Sequence, residues 1–178
     1  MEDSKACCLI TSPSYIAMAE ELILRLDNLK ILITTAKIKN DIPYLYGLQK
    51  DASYGLDKIK ISPYELAVIL YTSGTTGHPK GAMLSHYNLI SNAIDCRGAI
   101  KATSRDTFIC ILPLFHSFAA TVCMNLPLLV GAKIVIMKST RSFKRIIRAI
   151  RKNRVTIFVA IPSIYDILKD IKLPKIFN

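Results

Sequence analysis

Short apolar runs of β type and longer helix-type runs take turns along this sequence, and that alternation constrains its fold more than any other feature. Ala6 to Ile10 reads as a strand. Ser12 stands at the cap of a helix that has Pro13 at its first position and runs to about Asp27, and Ile31 to Thr34 is the next strand. Residues 36–62, punctuated by Pro43, Gly47 and Gly55, read as a long irregular connection. Beyond it come a strand from Glu65 to Thr72, a loop of Ser, Thr and Gly, a short run from Ala82 to Leu84, and a helix capped by Ser85 that reaches about Ala99. The last third repeats the theme with strand 107–112, helix 117–130, strand 133–137, helix 142–153, strand 155–160 and a helix after Pro162. Strands joined by helices pair in parallel, and right-handed crossovers place those helices on both faces of the sheet. The expected fold is therefore α/β, a mostly parallel sheet with helices on both faces.

Such a sheet needs a core, and 178 residues that are 51% hydrophobic supply one while excluding a disordered linker. One stretch, Phe108 to Ala132, runs for 25 residues without a charge, which is long enough to cross a bilayer. Pro113, His116, Asn125 and Pro127 interrupt it, and its pattern changes at Pro113 from a β run to a helix closed by Gly131. The expectation is a buried strand and a buried helix. The five cysteines, Cys7, Cys8, Cys96, Cys110 and Cys123, show no C-x-x-C spacing and read as small buried hydrophobes in a reducing compartment. The start, Met-Glu-Asp-Ser-Lys, has no apolar stretch of signal-peptide type, so the expected location is the cytoplasm.

The charge is +11, from 24 Lys and Arg against 13 Asp and Glu, and it is unevenly spread. Between Lys138 and Arg154 lie eight basic residues and no acidic one. On a helix over 141–152, Arg141, Lys144, Arg145, Arg148, Arg151 and Lys152 share one side, and Phe143, Ile146, Ile147 and Ile150 share the other. Two readings fit: a helix whose apolar side packs on the sheet and whose basic side is solvated, or a peripheral contact with anionic lipid at the inner face of a membrane. Nucleic acid is not expected as a partner, because no aromatics are interleaved with the charges to stack on bases.

The loop Tyr71-Thr-Ser-Gly-Thr-Thr-Gly-His-Pro-Lys-Gly81 follows an apolar strand. It sets the hydroxyls of Thr72, Ser73, Thr75 and Thr76 among Gly74, Gly77 and Gly81, with a single cation, Lys80. Glycines let consecutive N–H groups approach an anion, hydroxyls add donors, and a lysine adds a point charge. The pattern reads as a polyphosphate clamp. It is not a Walker A loop, since Pro79 stands where that loop needs its second glycine, and it does not fit G-x-G-x-x-G. A turn-rich surface loop has the same composition.

Tyr71 to Gly81, eleven consecutive positions, resembles the phosphate-binding signature of the adenylate-forming superfamily, which includes acyl-CoA synthetases, luciferases and peptide-synthetase adenylation domains. Ala82 to Leu89 continues the likeness. Leu112-Pro-Leu-Phe-His-Ser-Phe118 resembles the family's aromatic and histidine segment beside the acyl pocket, and residues 126–132 and 159–165 are also family-like.

The resemblance implies part of a large N-terminal domain of an enzyme that uses ATP and Mg2+ to turn a carboxylic acid into an acyl-adenylate and then passes the acyl group to coenzyme A. By that resemblance Thr72, Ser73, Gly74, Thr75, Thr76, Gly77 and Lys80 wrap the phosphates, Lys80 and His116 act in catalysis, Thr72 helps to hold the magnesium, and Phe115, His116 and Phe118 meet the acyl substrate. His78 and His86 are expected to be solvated. The family's acidic magnesium motif, ribose-binding aspartate and mobile C-terminal domain are expected downstream of residue 178. The chain then reads as residues 1–178 of a partial domain, inactive alone. The apolar region from Leu112 to Val130 suits a medium- or long-chain fatty acid, and an aryl-CoA ligase or a fatty acyl-AMP ligase is the alternative within the superfamily.

Overall fold

The computed structural model describes residues 1–38, 42–51, 59–72, 78–137 and 143–169, and the chain divides into two compact units at Ile61 and Ser62. In the first unit β1 (Cys8–Thr11) pairs in parallel with β2 (Ile31–Thr34), the arrangement expected for strands joined by a helix. That helix, α1 (Ile16–Arg25), follows a 3₁₀ turn over Pro13–Tyr15. Ser12 has the extended backbone of a cap, but its side chain makes no capping bond, because the tight turn at Pro13 intervenes before the α-helix begins. Asn28 ties the end of this crossover to β1, its Nδ2 donating to the Ala6 carbonyl at 2.6 Å. Part of the connection expected to be irregular is helical instead: α2 spans Leu45–Asp51.

In the second unit β3 (Leu66–Thr72) and β4 (Lys80–Ser85) form an antiparallel hairpin, which departs from the parallel pairing of the other strands. The run expected at 82–84 is longer because Lys80 and Gly81 pair with Thr72 and Tyr71. Gly81, grouped in the sequence with the loop glycines, lies within β4; a Cβ there would come within 2.8 Å of Ile69 Cγ2 and 3.1 Å of the Tyr71 ring. The glycine allows the strands' side chains to close over it. Ser85 then caps α3 (His86–Ile100) by a reciprocal box: Asn88 N donates to Ser85 Oγ at 3.2 Å and Ser85 N donates to Asn88 Oδ1 at 3.0 Å.

The remaining strands form a parallel sheet in the order β6–β5–β7, with β5 (Thr107–Cys110) between β6 (Lys133–Ile136) and β7 (Ile157–Phe158). Every residue of β5 is buried, and alternate side chains enter opposite layers. Phe108 packs with Leu126 and Ala102 on one face; Ile109 and Ile111 pack with Ile146 and Ile150 on the other. The connection from β5 to β6 supplies Leu126 from α5 (Leu126–Val130), whereas the return from β6 to β7 supplies the isoleucines of α6 (Phe143–Asn153). Successive right-handed crossovers running in opposite directions must cover opposite faces, so helices lie on both sides of this sheet as expected. Each large side chain buried here contributes roughly 1.5–3 kcal/mol.

The uncharged stretch resolves into β5, then α4 (Ser117–Ala120), a π-helical turn (Thr121–Asn125) and α5, closed by Gly131 in the left-handed region at φ 71°. The widening has a cause in sequence: Pro127 has no N–H to give to the preceding turn, and Leu126 N donates five residues back to Thr121. Among the described residues no helix is long and apolar enough to cross a membrane. Helix α7 spans Pro162–Lys169.

A latch joins the amino ends of all three strands. Thr156 Oγ1 donates to Asp106 Oδ1 at 2.7 Å and accepts from Thr107 N at 3.0 Å, Thr103 N donates to Asp106 Oδ2 at 2.8 Å, and Lys133 N donates to the Asp106 carbonyl at 3.1 Å. The Thr156 hydroxyl first, then the Thr103 N–H, hold the Asp106 carboxyl below its ordinary range.

Candidate functional site

The hairpin places the two ends of the hydroxyl-rich loop side by side. Thr72, the last residue of β3, pairs with Lys80, the first of β4, and both are exposed. Paired Cα atoms of antiparallel strands lie about 4.5–5.5 Å apart, so a hydroxyl and an ammonium group here can reach one anion. Ser73, Gly74, Thr75, Thr76 and Gly77 lie outside the described residues. His78 is exposed and His86 half-buried.

Thr72 also lines a cleft of about 660 Å³ bounded by the hairpin, α3 and the helix that follows β5. Leu70, Ala82 and Leu84 form its apolar wall. The opposite wall is mainly polar, with Leu89 and Ala120 its apolar members: Asn88, Asn92 and Asp95 descend one side of α3 at helical spacing, and Ser117, Thr121 and Asn125 face the same space. This polar stripe was not singled out from the sequence, although the spacing of four and then three residues marks it. Asn88 is partly committed to the cap of α3, and Asn92 Oδ1 accepts from Cys96 Sγ at 3.6 Å.

His116 lies beyond the carboxyl end of β5, where α/β sheets place ligands. Its N donates to the Pro113 carbonyl at 3.1 Å, its carbonyl accepts from Ala120 N at 2.9 Å, and its ring meets that of Phe115 with centroids 4.3 Å apart. The backbone turn is thus defined while the imidazole is exposed. Phe115 and Phe118, expected against an acyl chain, are 73% and 51% exposed. Ser117, between them, is the member of this segment that lines the cleft with Thr72.

The cysteines divide. Cys110 and Cys123 are buried, Cys8 and Cys96 are half-buried, and Cys7, which lies just before β1, is exposed, against the expectation that all are small buried hydrophobes. Burial, reinforced by Cys110, pushes the Cys123 thiol up to about 12, which leaves it protonated and unsuited to nucleophilic chemistry.

A sequence profile described as AMP-binding enzyme matches residues 1–177. The chain belongs to this family. Among its relatives, 4-coumarate--CoA ligase 2 of Solanum tuberosum is 30% identical over 98% of the chain and 32% of its own length. Acyl-CoA ligase sidI of Beauveria bassiana is 33% identical over 67% of the chain and 21% of its own length. The crystal structure of ATP-bound MatB from Rhodopseudomonas palustris is similar with a TM-score of 0.79 at 26% identity, over 96% of the chain and 32% of that protein. The chain spans about a fifth to a third of the length of the curated relatives it matches. The α/β fold with parallel sheets is that of the N-terminal domain of adenylate-forming enzymes.

Proposed function

We propose that this AMP-binding chain supplies the phosphate-gripping part of an enzyme that activates a fatty acid with ATP and transfers it to coenzyme A. The observation that carries this reading is the pairing of Lys80 with Thr72, which lines the cleft. The acid's carboxylate attacks the α-phosphate, the bond to the bridging oxygen breaks, and pyrophosphate leaves as the acyl-adenylate forms. Charge accumulates on the phosphates in that step, so a fixed ammonium and hydroxyl donors beside them lower the barrier. Lys80 offers the ammonium, Thr72 a hydroxyl, and loop residues 73–77 further donors. His116, at the carboxyl end of β5, is assigned to the acyl carboxylate and α-phosphate, with Phe115 and Phe118 beside the acyl chain.

Among the described residues no group of three or more His, Cys, Asp or Glu side chains gathers as a metal site. Thr72 suits Mg2+ as one oxygen ligand of an ion that keeps waters and phosphate oxygens for the rest. When bound, the ion neutralises charge on the polyphosphate. The five free cysteines support a reducing compartment, the cytosol, as the place of the reaction.

The apolar run from Leu112 to Val130 supports a fatty acid as the substrate. The likeness to a 4-coumarate--CoA ligase across 98% of the chain supports a second reading, an aryl acid. Pyrophosphate exchange by the full-length protein with octanoate, palmitate, cinnamate and amino acids separates them. Exchange with the fatty acids is expected; exchange with cinnamate alone replaces the first reading by the second, and exchange with none of the four overturns both.

A further inference from the structure

Helix α6 presents the most concentrated charge in the molecule. Its buried side is fully used: Ile146 and Ile150 belong to the sheet core, with Phe143, Ile147 and Ala149 packed against them. Its other side carries Lys144, Arg145, Arg148, Arg151 and Lys152, all exposed. At 100° per residue these five cations fall within an arc of about 120°, opposite the buried isoleucines. No acidic residue occurs from Phe143 to Arg154, and among the described residues none of the five cations is ion-paired. Lys144, Arg148, Arg151 and Lys152 line one shallow trough of about 360 Å³ together with Ile147.

Such an array is unfavourable to itself. Like charges at spacings of three and four residues repel, as 144 with 148, 145 with 148, and 148 with both 151 and 152 do here, and an isolated helix would be destabilised by each pair. Packing of the apolar side holds the helix together despite this repulsion, and an anionic surface would relieve it. From Lys144 to Lys152 the cations extend over about 12 Å of helix at 1.5 Å per residue, more than a single phosphate spans, so the array matches a surface of many phosphates better than a point anion. No aromatic side chain stands among them to stack on an unpaired base.

We propose that the basic side of α6 is a docking surface for an anionic phospholipid membrane, engaged through lipid headgroups. Because Ile146 and Ile150 are committed to the core, the contact is electrostatic: the helix lies on the headgroups and does not insert. Cations near an anionic leaflet act within a Debye length, about 10 Å at 0.1 M salt, so binding is lost at high salt. The surface shares no residue with the cleft that Thr72 lines, and the proposal does not depend on the ligase reading.

Co-sedimentation of the protein with phosphatidylcholine vesicles, with and without phosphatidylserine, tests it. The protein should pellet with the serine-containing vesicles at low salt, stay in solution with pure phosphatidylcholine, and be released at about 1 M salt. The exposed-site variant Lys144→Gln/Arg148→Gln/Arg151→Gln should bind about a hundredfold more weakly, at roughly fivefold per charge. Its thermal melt should remain cooperative, with a midpoint at or above that of the parent, as expected when mutual repulsion is removed. No pelleting with the anionic vesicles at low salt overturns the proposal, as does equal binding by the triple variant. Salt-sensitive binding to duplex DNA without vesicle binding would reassign the surface to nucleic acid.

Discussion

The β3–β4 hairpin and the β6–β5–β7 sheet use apolar strands in opposite ways. All four residues of β5 are buried, with Phe108 and Ile109 at 0% exposure between two helical layers. In β4 the first four residues are exposed, Met83 at 69%, and Tyr71 of β3 stands 44% exposed opposite Gly81. The sheet is held by what surrounds it; the hairpin is held by cross-strand pairing and by the capped helix that follows. The difference separates packing from chemistry. Candidate site groups lie where few core contacts depend on them, so core packing does not dictate their identities.

The sharpest way to break this comparison is a pair of truncations read by urea denaturation. Phe108→Ala should lower the unfolding free energy by about 3–5 kcal/mol, by lost burial and a cavity between β5 and α5. Met83→Ser should change it by less than about 0.5 kcal/mol. Equal losses would mean that the hairpin is as tightly packed as the sheet. Next in size, Lys80→Ala in the full-length protein should slow pyrophosphate exchange about ten- to a hundredfold while leaving the denaturation midpoint in place. An unchanged exchange rate removes Lys80 from the site.

Smaller effects probe how each region is tied down. Ser85→Ala removes the side chain that accepts from Asn88 N and should cost about 1 kcal/mol, visible as faster amide exchange in the first turn of α3. On the sheet side, Thr156→Val deletes the strongest support of the Asp106 carboxylate and should cost about 1 kcal/mol, since the latch is only partly shielded from water. The sign with pH follows from the depressed Asp106 carboxyl. Its contribution is complete above the unfolded-state value, about 3.9, and is lost as pH falls through the lower folded value. The stability gap between the parent and Asp106→Asn should therefore be widest near neutrality and close in acid; a gap that persists in acid would assign the latch to hydrogen bonds independent of charge.

Local signals were legible where a single residue decides the geometry. The extent of β2, the cap at Ser85 and the stop at Gly131 follow from β propensity, a hydroxyl acceptor and a residue free to adopt positive φ. The hydroxyl-rich loop stood out because its chemistry resides in residue identity. Helix α2 was not legible: seven residues containing Gly47 are too few to show a period. The full length of β4 was hidden because Lys80 and Gly81 are not apolar and become a strand only through Tyr71 and Thr72. The polar wall at Asn88, Asn92 and Asp95 acquired meaning only when the hairpin and the helix after β5 faced it.

By itself the sequence determined the order of the elements other than α2, the α/β class and the candidate clamp residues, because periodicity, capping and functional-group chemistry act over a few neighbouring positions. Only the tertiary structure decided that β3 and β4 run antiparallel, that Ser117 lines the cleft while Phe115 and Phe118 face outward, and that α6 commits its isoleucines to the core and leaves a row of cations outside. Those outcomes depend on which surfaces meet across long separations in the chain, and a short-range pattern carries no record of its distant partner.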